Sequence, residues 1–397
     1  MQKSYKVAIV GGGASGLMTA VELVRGEYAF SGKDVVILER NDRVGKKLIA
    51  TGNGQGNLTN ADLRLQNYRG EEKFISAFLQ KENQIDLSCY LENLGIPLCT
   101  LAGGKKYPLS RQASSVLDVI RAFLDEKGVE TRVNSKVVNI KNDDGVFVLD
   151  TESGKVIAQK VVLSFGGATA KQFGTDGSSY ALAERFGHKK TALYPSLVQL
   201  KTKTDYIRGL KGLKETARVT LNIDDKPVCS SVGDLLFTDF GVSGSTVFQV
   251  SAGYSGQENA SLKIEFLPEL SVEQIKEILV KRKSLKYFDD QTLLSGILNK
   301  RIGQAVLKYA NSFDCEKVAR AIKNFNLKVI GTLGFDYAQV TKGGIKTRDI
   351  DENTFESKLQ KGLYIVGEAL DVDGDCGGYN LAFAFTSGIA AARGIKN

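Results

Sequence analysis

Gly11, Gly13 and Gly16 stand between an apolar run, Val7 to Val10, and a stretch of helical spacing, Ala14 to Arg25. A second apolar run ends on an acid, Glu39. These residue types at this spacing suit a dinucleotide. The first glycine permits a tight strand-to-helix turn, the second lets backbone approach a diphosphate, and the third lets helix and strand pack closely. The helix start then aims unpaired amides and the positive end of its dipole at the phosphates. Glu39 would accept both hydroxyls of an adenosine ribose and repel a 2′-phosphate, so these residues call for FAD or NAD rather than NADP.

A second constellation lies near the other end of the chain. A strand-like run, Leu363 to Val366, ends in Gly367-Glu368, a glycine loop carries Cys376, Gly377, Gly378 and Tyr379, and a helix begins near Asn380. Such a helix start suits a flavin, because oriented amides stabilise the negative charge that a reduced ring carries at N1 and the C2 carbonyl. The glycines let a flat ring approach the backbone. Tyr379 and Cys376 are nearest in sequence to that ring and are the candidate catalytic proton donors, with a carboxyl or water also open. Cys376 has a second reading as a small apolar filler. His188, the chain's one histidine, follows a glycine and reads as a structural or cofactor-proximal residue rather than a general acid.

The elements that would position these residues alternate. Helical patterns at 73–94 and 114–127 precede strand-like runs at 136–140, 146–151 and 155–164, which suggests a parallel sheet with an antiparallel meander attached. From Ser196 to Pro268 the period turns to two. Ser271 and Gln274 form a plausible capping box, and 272–279, 291–299 and 302–309 carry helical spacing. This gives an α/β protein in three parts. Residues 1–190 and 341–397 form a discontinuous nucleotide-binding domain, 191–268 and 326–340 a β-rich insertion, and 269–325 a helical insertion.

Composition sets the class. The 397 residues are 42% hydrophobic and 25% charged, ordinary globular usage. No unbroken apolar run is long enough to span a membrane, and Met1 to Lys6 is too short and polar for a secretory leader. Five scattered cysteines without a C-x-x-C pair and a single histidine argue against a disulfide framework and against a metal site, and a reducing cytoplasm is the expected compartment. The net charge of +8 is spread over dispersed lysines, which favours a solvated surface and a small-molecule substrate over a nucleic-acid partner.

Several blocks together resemble the BaiN-like (YhiN-type) family of FAD-dependent oxidoreductases. They are Gly11-x-Gly13-x-x-Gly16, Gly45-Lys46-Lys47-Leu48 with Thr51-Gly52-Asn53-Gly54 and Asn57-Leu58-Thr59-Asn60, Tyr107-Pro108-Leu109-Ser110, Phe165-Gly166-Gly167, Thr341-Lys342-Gly343-Gly344, and the tail from Gly367-Glu368 through Gly378-Tyr379-Asn380-Leu381. The resemblance implies a glutathione-reductase-like Rossmann domain with non-covalent FAD, interrupted by an antiparallel β domain and a small helical domain. Gly11 to Gly16, with Ala14 and Ser15, would then hold the diphosphate, Glu39 with neighbouring Arg40 the adenosine ribose, and Val137 would offer backbone to the adenine. Lys46, Lys47, Thr51, Gly52, Asn53 and Gly54 would run beside the flavin, with the Gly166-Gly167 turn near it, although the two lysines are equally consistent with solvation. Gly367, Glu368, Gly377, Gly378, Tyr379, Asn380 and Leu381 would hold the ribityl chain and ring.

The chain departs from that family at Gln55-Gly56, where Arg-Cys is common, at Ser164-Phe165, at Ser245 and at Ala382. FAD binding should persist while the substrate differs. A flavin passes hydride through N5, and no second glycine fingerprint supports a dedicated nicotinamide domain, so NAD(P)H would act as a transient donor. The expected activity is reduction of a conjugated C=C bond in a small or polycyclic substrate. A flavin oxidase acting on an amine and an RNA-acting flavoprotein are the alternatives.

Overall fold

The computed structural model describes residues 3–285 and 287–397. They fall into two compact units, Met1–Tyr194 with Val340–Asn397, and Pro195–Gln339. The first unit is built on a mixed sheet whose members, in chain order, are β1 (Ser4–Val10), β2 (Val35–Leu38), β3 (Glu130–Arg132), β4 (Val137–Asp143), β5 (Val146–Thr151), β6 (Gly154–Leu163) and β7 (Leu363–Ile365). Helix α1 (Ala14–Leu23) follows β1, and α2 (Tyr379–Lys396) closes the chain.

The sheet order is β3-β2-β1-β6-β5-β4, with β7 also on β6. β6 runs parallel to β1 along its length, pairs antiparallel with β5 in its first half, and takes β7 in parallel in its second. The parallel strands are buried on both faces: Val7, Ala8, Ile9, Val35, Val36, Ile37, Val161, Val162, Leu163, Leu363 and Ile365 are solvent-free. That double burial is why they are written as continuous aliphatic runs and not as alternating ones. The β4–β5–β6 meander alternates, as a sheet with one wet face should.

The second unit holds a closed barrel, in order Leu200–Thr202, Gly241–Ser243, Lys226–Phe237, Lys214–Ile223, Ala260–Phe266 and Phe325–Thr332. Helices Val272–Lys283, Lys300–Ala310 and Cys315–Lys323 share one core with it, through residues such as Ile275, Leu279, Ile302, Val306, Val318 and Ile322. Residues 195–339, divided from sequence between a β-rich and a helical insertion, lie in one unit, while 191–194 and 340 lie in the first. The capping box forms, with Ser271 Oγ accepting from Gln274 N–H and Gln274 Oε1 accepting from Ser271 N–H.

Two helical expectations are corrected. Residues 73–94 form two helices, Glu72–Ile85 and Leu87–Asn93, because Asp86 takes a left-handed conformation (φ 47°) and caps the second. Residues 291–299 form turns, not a helix: the Asp289 carboxylate accepts the Gln291 and Thr292 amides, and Gly296 sits at φ +78°. Both capping side chains compete with helix propagation for the same backbone amides. Among the described residues no helix is long and apolar enough to cross a membrane.

Candidate functional site

Register brings the site together. Val10 pairs with Leu38 and Leu163, and Leu163 with Ile365, so Gly11, Glu39, Ser164 and Val366 leave the sheet at one carboxyl edge. Parallel α/β sheets bind their ligands outside that edge. Gly11 adopts φ +106°, and a Cβ there would sit 2.6 Å from the Ser164 carbonyl oxygen. The Ser164 hydroxyl donates to the carbonyls of Val10 (3.0 Å) and Gly11 (2.8 Å), fixing the turn. Gly16 has no room for a side chain, since its Cβ would overlap the Gly11 carbonyl oxygen and lie 2.6 Å from Ser164 Oγ. Gly13 is different. It precedes α1, no side chain caps the helix there, and a Cβ would meet nothing within 4 Å. Ala14 and Ser15 complete the first turn, and Ser15 Oγ lies 2.5 Å from the position of a Cβ on Gly367.

Glu39 follows β2 and is 7% exposed. Its Oε2 accepts from the Gly12 N–H (2.8 Å), and its Oε1 from the Asn41 backbone and side-chain amides (2.8 and 2.7 Å). The carboxylate is thus oriented by backbone before any ligand arrives. Its own carbonyl accepts from Ser135 N–H (2.8 Å), which brings the start of β4 and buried Val137 alongside. Arg40 binds both carboxylate oxygens of Asp176 (2.9 and 3.1 Å) and the Gly174 carbonyl (2.9 Å).

The adjacent lysines diverge. Lys46 pairs with Asp42 (2.6 Å), while Lys47 Nζ reaches Glu368 Oε2 (2.7 Å) and Thr169 Oγ1 (2.9 Å). Glu368 Oε1 accepts from the Thr341 N–H (2.8 Å), and Thr341 Oγ1 accepts from the Ala168 N–H (2.8 Å). Four segments distant in sequence are tied through this one carboxylate. The Gly166-Gly167 turn is packed into it: Gly166 takes φ +77°, and a Cβ on Gly167 would overlap Thr341 Oγ1 and stand 2.7 Å from Glu368 Oε1. Thr51 donates to the Leu48 carbonyl (2.7 Å), after which Gly52, Asn53 and Gly54 take left-handed conformations (φ 56°, 55° and 84°) and are exposed.

The C-terminal loop sits on the 57–60 segment. Asn60 donates to the Gly377 carbonyl (3.0 Å), and a Cβ on Gly378 (φ +98°) would overlap the Thr59 carbonyl oxygen. Gly378 precedes α2, again with no side-chain cap. The Asn380 side chain instead braces the loop, accepting from Gly374 N–H and donating to Gly374 O (both 2.8 Å), and Leu381 is partly buried against the core. Helices α1 and α2 touch at Gly388, whose Cβ would overlap the Ser15 carbonyl, and Arg393 on α2 pairs with Glu22 on α1 (3.0 Å). The two glycine turns, from opposite ends of the chain, therefore belong to one packed layer.

Tyr379 is 8% exposed; its ring lies edge-on to Tyr68 with centroids 5.8 Å apart and packs on Gly377. Burial raises its hydroxyl above the ordinary tyrosine value, and burial likewise pushes the Cys376 thiol up, opposed by the Lys105 charge. Both stay protonated at neutral pH. His188 is buried, shares a hydrogen bond with Ser357 Oγ through Nε2 (2.7 Å), and is held below its ordinary basicity by burial, so it serves structure.

Over residues 5–394 the sequence matches the family described as HI0933-like protein Rossmann domain. The chain belongs to that family. Within it, a 3-dehydro-bile acid delta(4,6)-reductase of Clostridium scindens is 34% identical over 98% of both chains. A ribosomal RNA dihydrouridine synthase of Haemophilus influenzae is 28% identical, also over 98% of both. Among solved structures, the 3-ketosteroid-delta4-(5alpha)-dehydrogenase of Rhodococcus jostii RHA1 shares the fold with a TM-score of 0.54 and 16% identity, covering 99% of this chain and 97% of that one. The HI0933-like chain is an FAD-dependent oxidoreductase with a Rossmann-type FAD domain.

The residues present fit FAD. Two helix starts lack side-chain caps, Gly13 opens onto empty space where a diphosphate would approach, a pre-oriented carboxylate ends β2, and a left-handed loop at 52–54 is exposed. Sequence reasoning missed Thr169, Thr341 and Ser164 as supports, since most of their partners lie more than 100 residues away.

One titration is built into the C-terminal loop. Asp373 is 2% exposed, and burial pushes its carboxyl up to about 6, opposed by Arg69 (3.1 Å) and Lys342 and reinforced by Asp371. An ordinary Asp titrates at 3.8, so the folded state holds this proton more tightly than the unfolded one. The resulting stability is fully present below that value and is lost as pH rises through about 6, an effect of about 3 kcal/mol at most. Urea unfolding should show wild-type stability falling across this window and Asp373→Asn showing a flatter profile; an unchanged slope in the variant would contradict the assignment.

Proposed function

We propose that this enzyme takes electrons from NADH or NADPH and saturates a C=C bond conjugated to a carbonyl in a small or polycyclic organic substrate. The observation that carries the reading is the uncapped start of α2 at Gly378 in the same packed layer as the Gly13 turn, a pair of anion-stabilising helix ends suited to a diphosphate and a reduced flavin. The names of the relatives support it. A bile acid delta(4,6)-reductase and a dihydrouridine synthase both saturate a C=C bond in conjugation with a carbonyl, on very different substrates.

When bound, FAD supplies hydride through N5. Gly11 to Gly16 would hold its diphosphate, Glu39 the adenosine ribose, and Gly367, Glu368 and Gly377 to Leu381 the ribityl chain and ring. Lys47 holds Glu368 in place through their ion pair (2.7 Å). Val137 offers backbone to the adenine, whereas Arg40 and Lys46 act through their own ion pairs, orienting the 174–176 loop and the 42–46 turn.

The test is an anaerobic titration of the yellow protein. NADH or NADPH should bleach the flavin, and an enone should restore its colour. Bleaching by an amine but not by either nicotinamide would overturn the reading in favour of an oxidase. A second reading, action on RNA, is favoured by the similarity to the ribosomal RNA dihydrouridine synthase of Haemophilus influenzae and by the +8 charge. It requires RNA retention that weakens steeply with salt.

A further inference from the structure

We propose that the Tyr107 hydroxyl gives the substrate its proton, at the carbon next to the carbonyl. The proposal rests on the reductase reading above. Tyr107 lies on the strand Lys105–Pro108, whose neighbours are Thr59–Asn60 and Leu98–Thr100, with Cys99 directly opposite. Alternation along a strand puts Lys105 and Tyr107 on one face and Lys106 and Pro108 on the other. The second face is structural: Lys106 donates to Ser88 Oγ (2.7 Å) and Pro108 is buried.

The first face meets both loops assigned to the flavin ring. The Tyr107 ring edge stands 3.3 Å from the position of a Cβ on Gly52, and Asn60, paired with Lys105 across the strands, donates to the Gly377 carbonyl of the C-terminal loop (3.0 Å). The ring is half-buried, and its hydroxyl makes no hydrogen bond within the described residues. Other tyrosines near the loops lack this freedom. Tyr379 is packed into the core, and the Tyr68 hydroxyl is spent on the Tyr379 carbonyl (3.1 Å). Burial raises the Tyr107 hydroxyl above its ordinary value, so it carries its proton at neutral pH.

The balance is simple. Two electrons enter from a reduced nicotinamide and reach the β carbon as hydride, the C=C π pair shifts to join the α carbon to the carbonyl carbon as the C=O π pair moves onto oxygen, and an enolate results. The O–H bond of Tyr107 then breaks as a C–H bond forms at the α carbon and the carbonyl is restored. The tyrosinate recovers its proton from water.

The test compares holoenzyme with Tyr107→Phe, each reduced anaerobically by a nicotinamide and mixed with carvone or androstenedione. FAD retention and nicotinamide-driven bleaching should match wild type, while reoxidation by the enone slows by about 100-fold or more. Wild-type reoxidation should also slow at high pH as the phenol ionises, a limb absent in the variant. Nitration by tetranitromethane, mapped by mass spectrometry on the wild-type holoenzyme, reads the contact without turnover: Tyr107 should react, and the enone should protect it. Reoxidation at the wild-type rate in Tyr107→Phe, or a nitration yield unchanged by the enone, overturns the role of Tyr107 alone. A wild-type enzyme that passes electrons to neither enone overturns the reductase reading and this role together.

Discussion

Gly13→Asp is expected to leave the fold intact and strip the protein of FAD. Gly13 has ordinary backbone angles (φ −83°, ψ −170°), and its Cβ position is open space. It also occupies the N-cap of α1, where aspartate is among the preferred residues because its carboxylate accepts from the first-turn amides. The FAD-free variant should therefore match wild type within about 0.5 kcal/mol, or exceed it. The ligand suffers twice. The amides it needs are taken by the new carboxylate, and a negative charge stands where its diphosphate should lie, a juxtaposition that costs several kcal/mol. A loss of at least about 100-fold in FAD affinity follows, measurable by flavin fluorescence on titration. An FAD affinity equal to wild type would place the diphosphate elsewhere.

Gly16→Val should fail in the opposite manner. The new Cβ would overlap the Gly11 carbonyl oxygen, stand 2.6 Å from Ser164 Oγ and crowd Ile9 Cγ2 at 3.2 Å. Two of these three obstacles belong to turns fixed by sheet register, so α1 must lift from the sheet. Overpacking of this kind costs about 3 kcal/mol or more, a large share of the 5–15 kcal/mol that typically holds a domain together. The expected result is a marked drop in the urea midpoint with or without added FAD, and Gly16→Ala should show a smaller drop. A valine variant of wild-type stability would contradict the packing. The two substitutions, three residues apart in one motif, separate ligand contact from helix packing.

The first βαβ turn was legible in the sequence because backbone geometry excludes a side chain at Gly11 (φ +106°) and helix–strand contact excludes one at Gly16, while Gly13, where a Cβ would meet nothing within 4 Å, keeps the approach to the helix start open. Glu39 was legible because the acid ends an apolar strand. The fold class followed from aliphatic runs that only a doubly covered parallel sheet explains. The sheet of Thr59–Asn60, Lys105–Pro108 and Leu98–Thr100 was not legible, since strands of two to four residues leave no periodicity. The pairing of Arg40 with Asp176 was hidden for a related reason. Its partner lies 136 residues away, and nothing local distinguishes an arginine held by a distant carboxylate from one facing a ligand. The helix Cys315–Lys323 lay inside the expected helical insertion but was not singled out, because its apolar face spans only nine residues; Asp314, which caps it through two amides, was the signal that could have found it.

Two uncapped helix starts from opposite ends of the chain, in one packed layer, call for one non-covalent FAD between them. Acid precipitation of the purified protein, with the released chromophore identified by mass and quantified against protein, tests it most directly. Stoichiometric FAD in the supernatant and a colourless pellet are the expected result. A protein that carries no flavin and cannot be loaded with FAD, or one that keeps its chromophore covalently in the pellet, would contradict it.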